Sequence, residues 1–330
     1  MLVSWDNSNG RLSTYTNMKY WLPPGSTKGN CPKGAGPYSS PDSGLIFHKE
    51  VRFGYAGVPN VLDYHVTYNW NESKGYAVME ALTGYLKVGF SQWLTFDRTT
   101  STVSKLALTS GVCTTPCSYQ NLPVIAALPN GTSAMAIYAP VTPDGNYGAQ
   151  TDTGSSYVKW NVVYTGVPVQ GTTFDRQLLV PFGNVDEVIN GLRVLTGANL
   201  SLIPVFRFFG TWNDHFLTLS YSEAASVGSG AYNFEGTAFK VWAAPLDGNM
   251  IPLYRCNDVR NTDHFVSKAS NCEGKTYEGV YGYVSSIPRT GYVPIMRYYK
   301  SSTTDHLITT NPNEGIGLIN EGIIGYAPNP

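Results

Sequence analysis

The chain is poor in charge. Lys and Arg number 22 and Asp and Glu 23, so charged residues make up 14% of the 330 and the net charge is -1, against about a quarter in ordinary soluble domains. Sparse, balanced charge without a basic cluster gives no handle for a polyanion, so neither nucleic acid nor an anionic membrane surface is expected as a partner. Long apolar runs are missing too, and the roughly 20 residues that a spanning helix needs are nowhere approached. No Cys-x-x-Cys pair and no Cys/His cluster at zinc spacing occurs, so no metal and no cofactor is expected. There is no glycine-rich nucleotide loop and no Gly-x-Ser-x-Gly elbow. What the chain does have is 23 Tyr, 13 Phe, 34 Gly and 21 Pro. That is a tyrosine-rich, turn-rich globular protein, long enough for two domains.

Five cysteines occur. Cys256 and Cys272 fall within one repeat of the tail described below and are expected to form a disulfide. Cys113 and Cys117 either compete for Cys31 or pair with each other, leaving one thiol over. N-x-[ST] sequons start at Asn71, Asn130 and Asn199, each beside a turn or a junction where a glycan acceptor would be exposed. The N-terminus, Met1-Leu2-Val3-Ser4-Trp5-Asp6, lacks the basic start and apolar core of a signal peptide. The sequons and the low lysine content nevertheless favour a secreted, extracellular protein whose leader is absent from this numbering.

Helical periodicity is nearly absent. The exception is Val185–Leu195, where Asn184 is placed to cap and Val185, Val188, Ile189, Leu192 and Leu195 share a face. Elsewhere the period is two. In Val61–Trp70, Leu62, Tyr64, Val66, Tyr68 and Trp70 face one way and Asp63, His65, Thr67 and Asn69 the other. Leu45–Tyr55 alternates likewise, with His48, Glu50 and Arg52 on its polar side. Val124–Leu128 and Ala134–Ala139 flank Asn130-Gly131, a strong hairpin signal. Residues 1–200 therefore read as an antiparallel β-sandwich with one short helix, dividing from the tail near Asn199.

The tail carries an internal repeat. Its first unit runs Ile203-Pro204-Val205-Phe206-Arg207, then Asp214-His215-Phe216, then Glu235-Gly236. The second runs Ile251-Pro252-Leu253-Tyr254-Arg255, then Asp263-His264-Phe265, then Glu278-Gly279. The third runs Val293-Pro294-Ile295-Met296-Arg297, then Asp305-His306-Leu307, then Glu321-Gly322. Three all-β units, about 202–250, 251–292 and 293–330, each with about four short strands, predict a β-trefoil over 201–330, since a propeller of roughly 40-residue blades needs at least four.

At Arg…Asp-His-Phe…Glu-Gly the tail resembles a family of extracellular tandem repeats that assemble into lectin-like β-trefoils. It lacks the Gln-x-Trp signature of ricin-type trefoils, so no sugar-binding residue is carried over from those. The first 200 residues resemble the β-supersandwich of carbohydrate-active proteins such as mutarotases and polysaccharide lyases, at Glu80-Ala81-Leu82-Thr83-Gly84-Tyr85-Leu86 and Ser133-Ala134-Met135-Ala136-Ile137-Tyr138. No catalytic motif transfers with that resemblance.

The triplicated Arg, Asp, His and Glu can be read in two ways. Each unit could offer a shallow pocket in which carboxylate and Arg bind sugar hydroxyls beside an aromatic platform. The candidate ligand-binding residues are then Trp212, Asp214, His215, Asp263, His264, Asp305 and His306, with Trp212 making the first unit dominant. Equally, threefold repetition is what a fold-defining network shows, with Arg and carboxylate paired inside each unit and Asp capping a tight turn. Convergence of the three histidines on an axial metal is the least favoured reading. In the N-terminal domain the stripe Asp63, His65, Asn69 is a candidate glycan face; a solvated sheet face explains the same pattern. The leading expectation is a secreted, non-catalytic carbohydrate-binding (lectin-like) or adhesion protein, with glycans or glycoproteins as partners. The alternative is a self-associating structural subunit of an extracellular assembly (matrix, filament or coat). The third is a glycan-active enzyme using the N-terminal sheet.

Overall fold

The computed structural model describes residues 2–8, 10–20, 42–108, 119–143, 146–151, 157–226 and 231–329. Cys31, Cys113 and Cys117 lie outside the described residues, and so does their pairing. The expectation of an all-β chain holds. Strands β1 (Leu2–Ser8), β2 (Arg11–Lys19), β3 (Asp42–Tyr55), β4 (Val58–Trp70) and β5 (Ala77–Lys87) come first. They are followed by β6 (Gln92–Phe96), β7 (Val103–Lys105), β8 (Tyr119–Gln120), β9 (Val124–Ala127) and β10 (Ala134–Ile137). Strands β11 (Tyr147–Thr151), β12 (Tyr157–Gly166) and β13 (Thr173–Gly183) lead to helix α1 (Val185–Leu195).

The chain divides into two compact units. One comprises Met1–Val88, Leu108–Val124 and Ala136–Phe182; the other comprises Gly89–Ala107, Ile125–Met135 and Gly183–Pro330. In the first unit β1, β2, β3, β4 and β13 pair in that order, all antiparallel. A second antiparallel sheet runs β5-β12-β11-β8. Aromatic contacts join the two sheets: Tyr164 of β12 meets Phe174 of β13 edge-on at 5.3 Å, and Phe174 meets Tyr68 of β4 at 5.7 Å. The alternation in β4 is thus the reason this sheet has an apolar face at all, because period-two spacing puts Val66 and Trp70 on the buried side.

Helix α1, expected to go with the sandwich, groups instead with the second unit. Its capping box is formed: the Asn184 side chain accepts from Glu187 N at 2.9 Å and Glu187 Oε2 accepts from Asn184 N at 2.8 Å. Val185, Val188, Ile189 and Leu192 are buried, as the periodicity requires. Asp186, on the same first turn, accepts from Tyr221 N, Ser222 N and Ser220 Oγ, and Arg193 donates to Leu202 O at 2.7 Å. These polar bonds, invisible to a hydrophobic pattern, attach the helix to the repeats.

The repeats supply β14 (Leu202–Gly210), β15 (His215–Thr218), helix α2 (Tyr221–Ser226) and β16 (Tyr232–Trp242). Next come β17 (Met250–Asp258), β18 (Asp263–Ser267) and β19 (Thr276–Ser285), then β20 (Tyr292–Lys300), β21 (Asp305–Thr309) and β22 (Ile319–Pro328). Two findings differ from expectation here. Helix α2 is a second helix, too short to leave a period. Each unit also has three strands rather than four, because the first and third are long and bent. The ladder between them slips on both sides of Arg207, Arg255 and Arg297, and those arginines face Gly236, Gly279 and Gly322. The three glycines have φ of 141°, 142° and 97°, a region open to glycine and closed to most L-residues. That is the structural meaning of the repeated Glu-Gly.

One core joins the three units. Val205, Leu253 and Ile295 occupy equivalent places in it, as do Leu217, Val266 and Ile308. In the first unit Phe239 fills a position held by Gly282 and Gly325 in the others, while Tyr281 and Ile324 fill the place of Ala238. Bulk has moved one residue along the strand, which keeps the core full. Cys256 and Cys272 are disulfide-bonded, as expected, and both are fully buried. Cys256 stands where Phe208 and Tyr298 stand in the other units, which are buried too.

Candidate functional site

In each unit the turn before the Asp-His pair is tight. Asn213, Thr262 and Thr304 have φ of 60°, 57° and 60°, left-handed values that are costly for a β-branched threonine. The left-handed residue is repeated three times just before the aspartate, strained at the two threonines and tolerated by asparagine in the first unit. As a result Asp214, Asp263 and Asp305 turn inward, 7%, 2% and 2% exposed, and bring carboxylate oxygens within 4.8 Å of one another. The aspartates, not the histidines, are what converge at the centre of the three repeats.

Two of the three histidines reach across to the preceding unit. His215 N donates to Asp305 Oδ1 at 2.8 Å, and its Nδ1 lies 2.7 Å from Asp305 Oδ2. His306 makes the same two bonds to Asp263. The third link, from His264 to Asp214, is open. Tyr232 Oη donates to Asp214 Oδ2 at 2.7 Å, while Asp214 Oδ1 and His264 Nδ1, both buried, have no partner. The positions equivalent to Tyr232 hold Lys275 and Leu318, which explains why only Asp214 is drawn away. Asn257 Nδ2 donates to His264 Nε2 at 3.0 Å, so the neutral ring carries its proton on the unpartnered Nδ1. Burial, reinforced by Asp263 and Asp305 and opposed by the Tyr232 bond, lifts the Asp214 carboxyl to about 7. Burial likewise holds the His264 imidazole below the ordinary histidine range.

The arginines close a second ring outside the first. Arg207 bonds Glu235 of its own unit at 2.6 Å and Glu314 of the third unit at 2.8 and 3.1 Å. Arg255 bonds Glu278 at 2.7 Å and Glu223 of the first unit at 2.8 Å. Arg297 pairs with Glu321 at 2.8 Å and with Glu273 of the second unit at 2.6 and 3.2 Å. Glu223, Glu273 and Glu314 were missed by sequence reasoning. A signal existed, since each follows a hydroxyl residue by five or six positions: Thr218, Ser267 and Thr309, whose hydroxyls donate to them. The repeated Arg and Glu thus form unit-to-unit ties.

Between the third and first units this network leaves an open cleft of about 340 Å³, lined by Arg207, Phe209, His215, Glu235, Lys300 and Glu314 among others. The Phe209 ring sits 4.7 Å from His215, and Tyr299 repeats the arrangement with His306 at 4.8 Å. Asn257 replaces the aromatic in the second unit. Trp212 is 61% exposed. It stands edge-on to Tyr232 at 5.9 Å and is not part of that cleft's lining.

On β4, Asp63 accepts from Gln177, His65 pairs with Asp175, and Asn69 accepts from Thr173, all on β13. His48 stacks on Tyr15 at 4.0 Å and meets Ser13 at 2.9 Å, and Glu50 pairs with Arg11 and Arg52. The stripe is one polar face of β2-β3-β4-β13, its named side chains tied to neighbouring strands. Asn71, Asn130 and Asn199 are all exposed.

Residues 204–328 match the family described as a domain of unknown function (DUF5648). No curated protein matches the chain. Among solved structures the chain is similar to a galactose mutarotase related enzyme from Lactobacillus acidophilus (6% identity, 56% of this chain and 71% of that one, TM-score 0.31). It is also similar to galactose 1-epimerase from Lactobacillus acidophilus NCFM (10%, 55% and 65%, TM-score 0.26). A heparan sulfate lyase mutant from Pedobacter heparinus is a third (12%, 56% and 22%, TM-score 0.25). At these scores the likeness carries no argument about function.

Proposed function

We propose that the protein is a secreted, non-catalytic carbohydrate-binding protein whose three C-terminal repeats form a lectin-like β-trefoil beside an N-terminal β-sandwich. The observation that carries this reading is the cleft between the third and first units. It sets the Phe209 ring, an apolar platform for a sugar face, beside Arg207, Lys300, Glu235 and Glu314, donors and acceptors for hydroxyls. Trp212 offers a second, open platform. The buried disulfide and the three exposed sequons suit an oxidising compartment. Among the described residues no helix is long and apolar enough to cross a membrane.

The test is a glycan array followed by calorimetry on the best hit. An aromatic platform contributes on the order of 1 kcal/mol, about fivefold in affinity. Phe209→Ala and Trp212→Ala should each weaken binding by about that much while the melting temperature stays near that of the parent. An array with no hits, or binding indifferent to both changes, rejects the reading.

A second reading, a subunit of an extracellular assembly, rests on β1. All seven of its residues are exposed, and Leu2, Val3 and Trp5 present apolar side chains on a strand that, among the described residues, is paired on one side, to β2. Such an edge is a template for another strand. Light scattering separates the two readings: self-association abolished by Val3→Lys favours assembly, and a monomer at all concentrations excludes it.

A further inference from the structure

We propose that the centre of the three repeats is a calcium site, in which Asp214, Asp263 and Asp305 hold one divalent cation through a carboxylate oxygen each. Oxygens no more than 4.8 Å apart leave a common point close to the calcium–oxygen distance of about 2.3–2.6 Å. Magnesium demands a near-perfect octahedron at roughly 2.0–2.1 Å and keeps most of its waters, being held by one or two carboxylates rather than by an all-protein cage. The donors are all carboxylate oxygen, a hard set. The imidazoles do not compete, because His215 and His306 spend Nδ1 on Asp305 and Asp263 and His264, accepting from Asn257 at Nε2, carries its proton on Nδ1.

A second observation, apart from the clustering, points to a missing ligand. Asp263 and Asp305 each use both oxygens on a histidine. Asp214 is buried too, yet its Oδ1 meets no donor at all. Tyr232 pins Oδ2, so the bare oxygen belongs to a carboxylate held in place within the cluster of three. A buried carboxylate oxygen without a partner is strongly disfavoured. Two imidazoles bond two of the carboxylates, whereas the third, on His264, is engaged with Asn257 and leaves Asp214 Oδ1 without a donor. A cation among the three carboxylates supplies the missing partner, and it ties three repeats together at one atom.

The experiment uses the full chain dialysed against EDTA. Calorimetric titration with Ca²⁺ should show one saturable site per chain, and Ca²⁺ but not Mg²⁺ should raise the melting temperature. Tb³⁺, a luminescent calcium analogue, should emit on excitation through tryptophan, be displaced by Ca²⁺, and dim in Trp212→Phe, because the Trp212 indole stands edge-on to Tyr232, which bonds Asp214. Asp214→Asn keeps the shape and the Tyr232 bond, and should weaken Ca²⁺ binding by roughly two orders of magnitude, as ligand charge governs affinity in such sites. If that variant does not fold, the Trp212→Phe result locates the ion. The proposal falls if the parent shows no Ca²⁺ heat, in which case a proton alone satisfies Asp214. It falls equally if binding survives Asp214→Asn, or if Tb³⁺ emission ignores Trp212→Phe.

Discussion

At the scale of single residues, the repeated motif divides into two jobs. The Arg-Glu ring joins units: each guanidinium is mostly buried and bonded to a glutamate of the preceding unit. Glu273→Ala strips two bonds from Arg297, the most buried of the three. Charged hydrogen bonds are worth about 1.5–3 kcal/mol, so a loss of about 2 kcal/mol in urea unfolding is expected, with Glu273→Gln recovering part of it. The same ring sets the acid limit. Bonds from Arg297 hold the Glu273 carboxyl below the ordinary glutamate range despite burial, and bonds from Arg207 do so for Glu314. A carboxyl depressed in the folded state contributes stability that is present above the unfolded value, about 4.3, and is lost as pH falls through the folded one. Melting temperature should therefore be flat with respect to these groups above about pH 5 and fall below it. In Glu314→Gln the fall should be shallower; an unchanged slope would remove Glu314 from the account.

At the scale of elements, two local devices are separable from the rest. The capping box at Asn184 is complete and sits on the turn whose Asp186 anchors α2. Asn184→Ala should lower stability by about 1 kcal/mol, visible as an earlier urea midpoint with an unchanged slope. The Cys256–Cys272 bridge spans 16 positions, for which chain entropy gives roughly 3 kcal/mol. Changing both cysteines to Ala should cost about that much or more, because a cavity opens beside Phe265. A drop under 1 kcal/mol would mean that the second repeat packs well without it. The two helices show what a periodic pattern can and cannot reveal. Helix α1 has eleven residues and a clear apolar face, while α2 has six, hardly more than one turn and a half.

At the scale of the whole molecule, the sequence break near Asn199 and the grouping of the structure are different things. The repeats begin at β14, yet α1 is bonded to them through Asp186 and Arg193, and Val103 N donates to Thr237 Oγ1. A fragment of residues 183–330 should accordingly melt above one of residues 200–330, by circular dichroism. Equal melting temperatures would show that the helix is a passenger on the repeats.

The sequence by itself determined the all-β class, the Val185–Leu195 helix, the threefold repeat and the Cys256–Cys272 bridge. Each is written in local spacing: period two, period 3.6, or a motif recurring in order. It also offered both roles for Arg and Glu without choosing. Only the tertiary structure decided that Arg207 pairs with Glu314, more than a hundred residues away, and that the aspartates rather than the histidines meet at the centre. Those partners sit in neighbouring units, and a repeat read along the chain says which residues are equivalent but not which copies touch. The open His264–Asp214 link was the least legible of all. It depends on Tyr232, a residue outside the repeated motif, whose hydroxyl bonds Asp214.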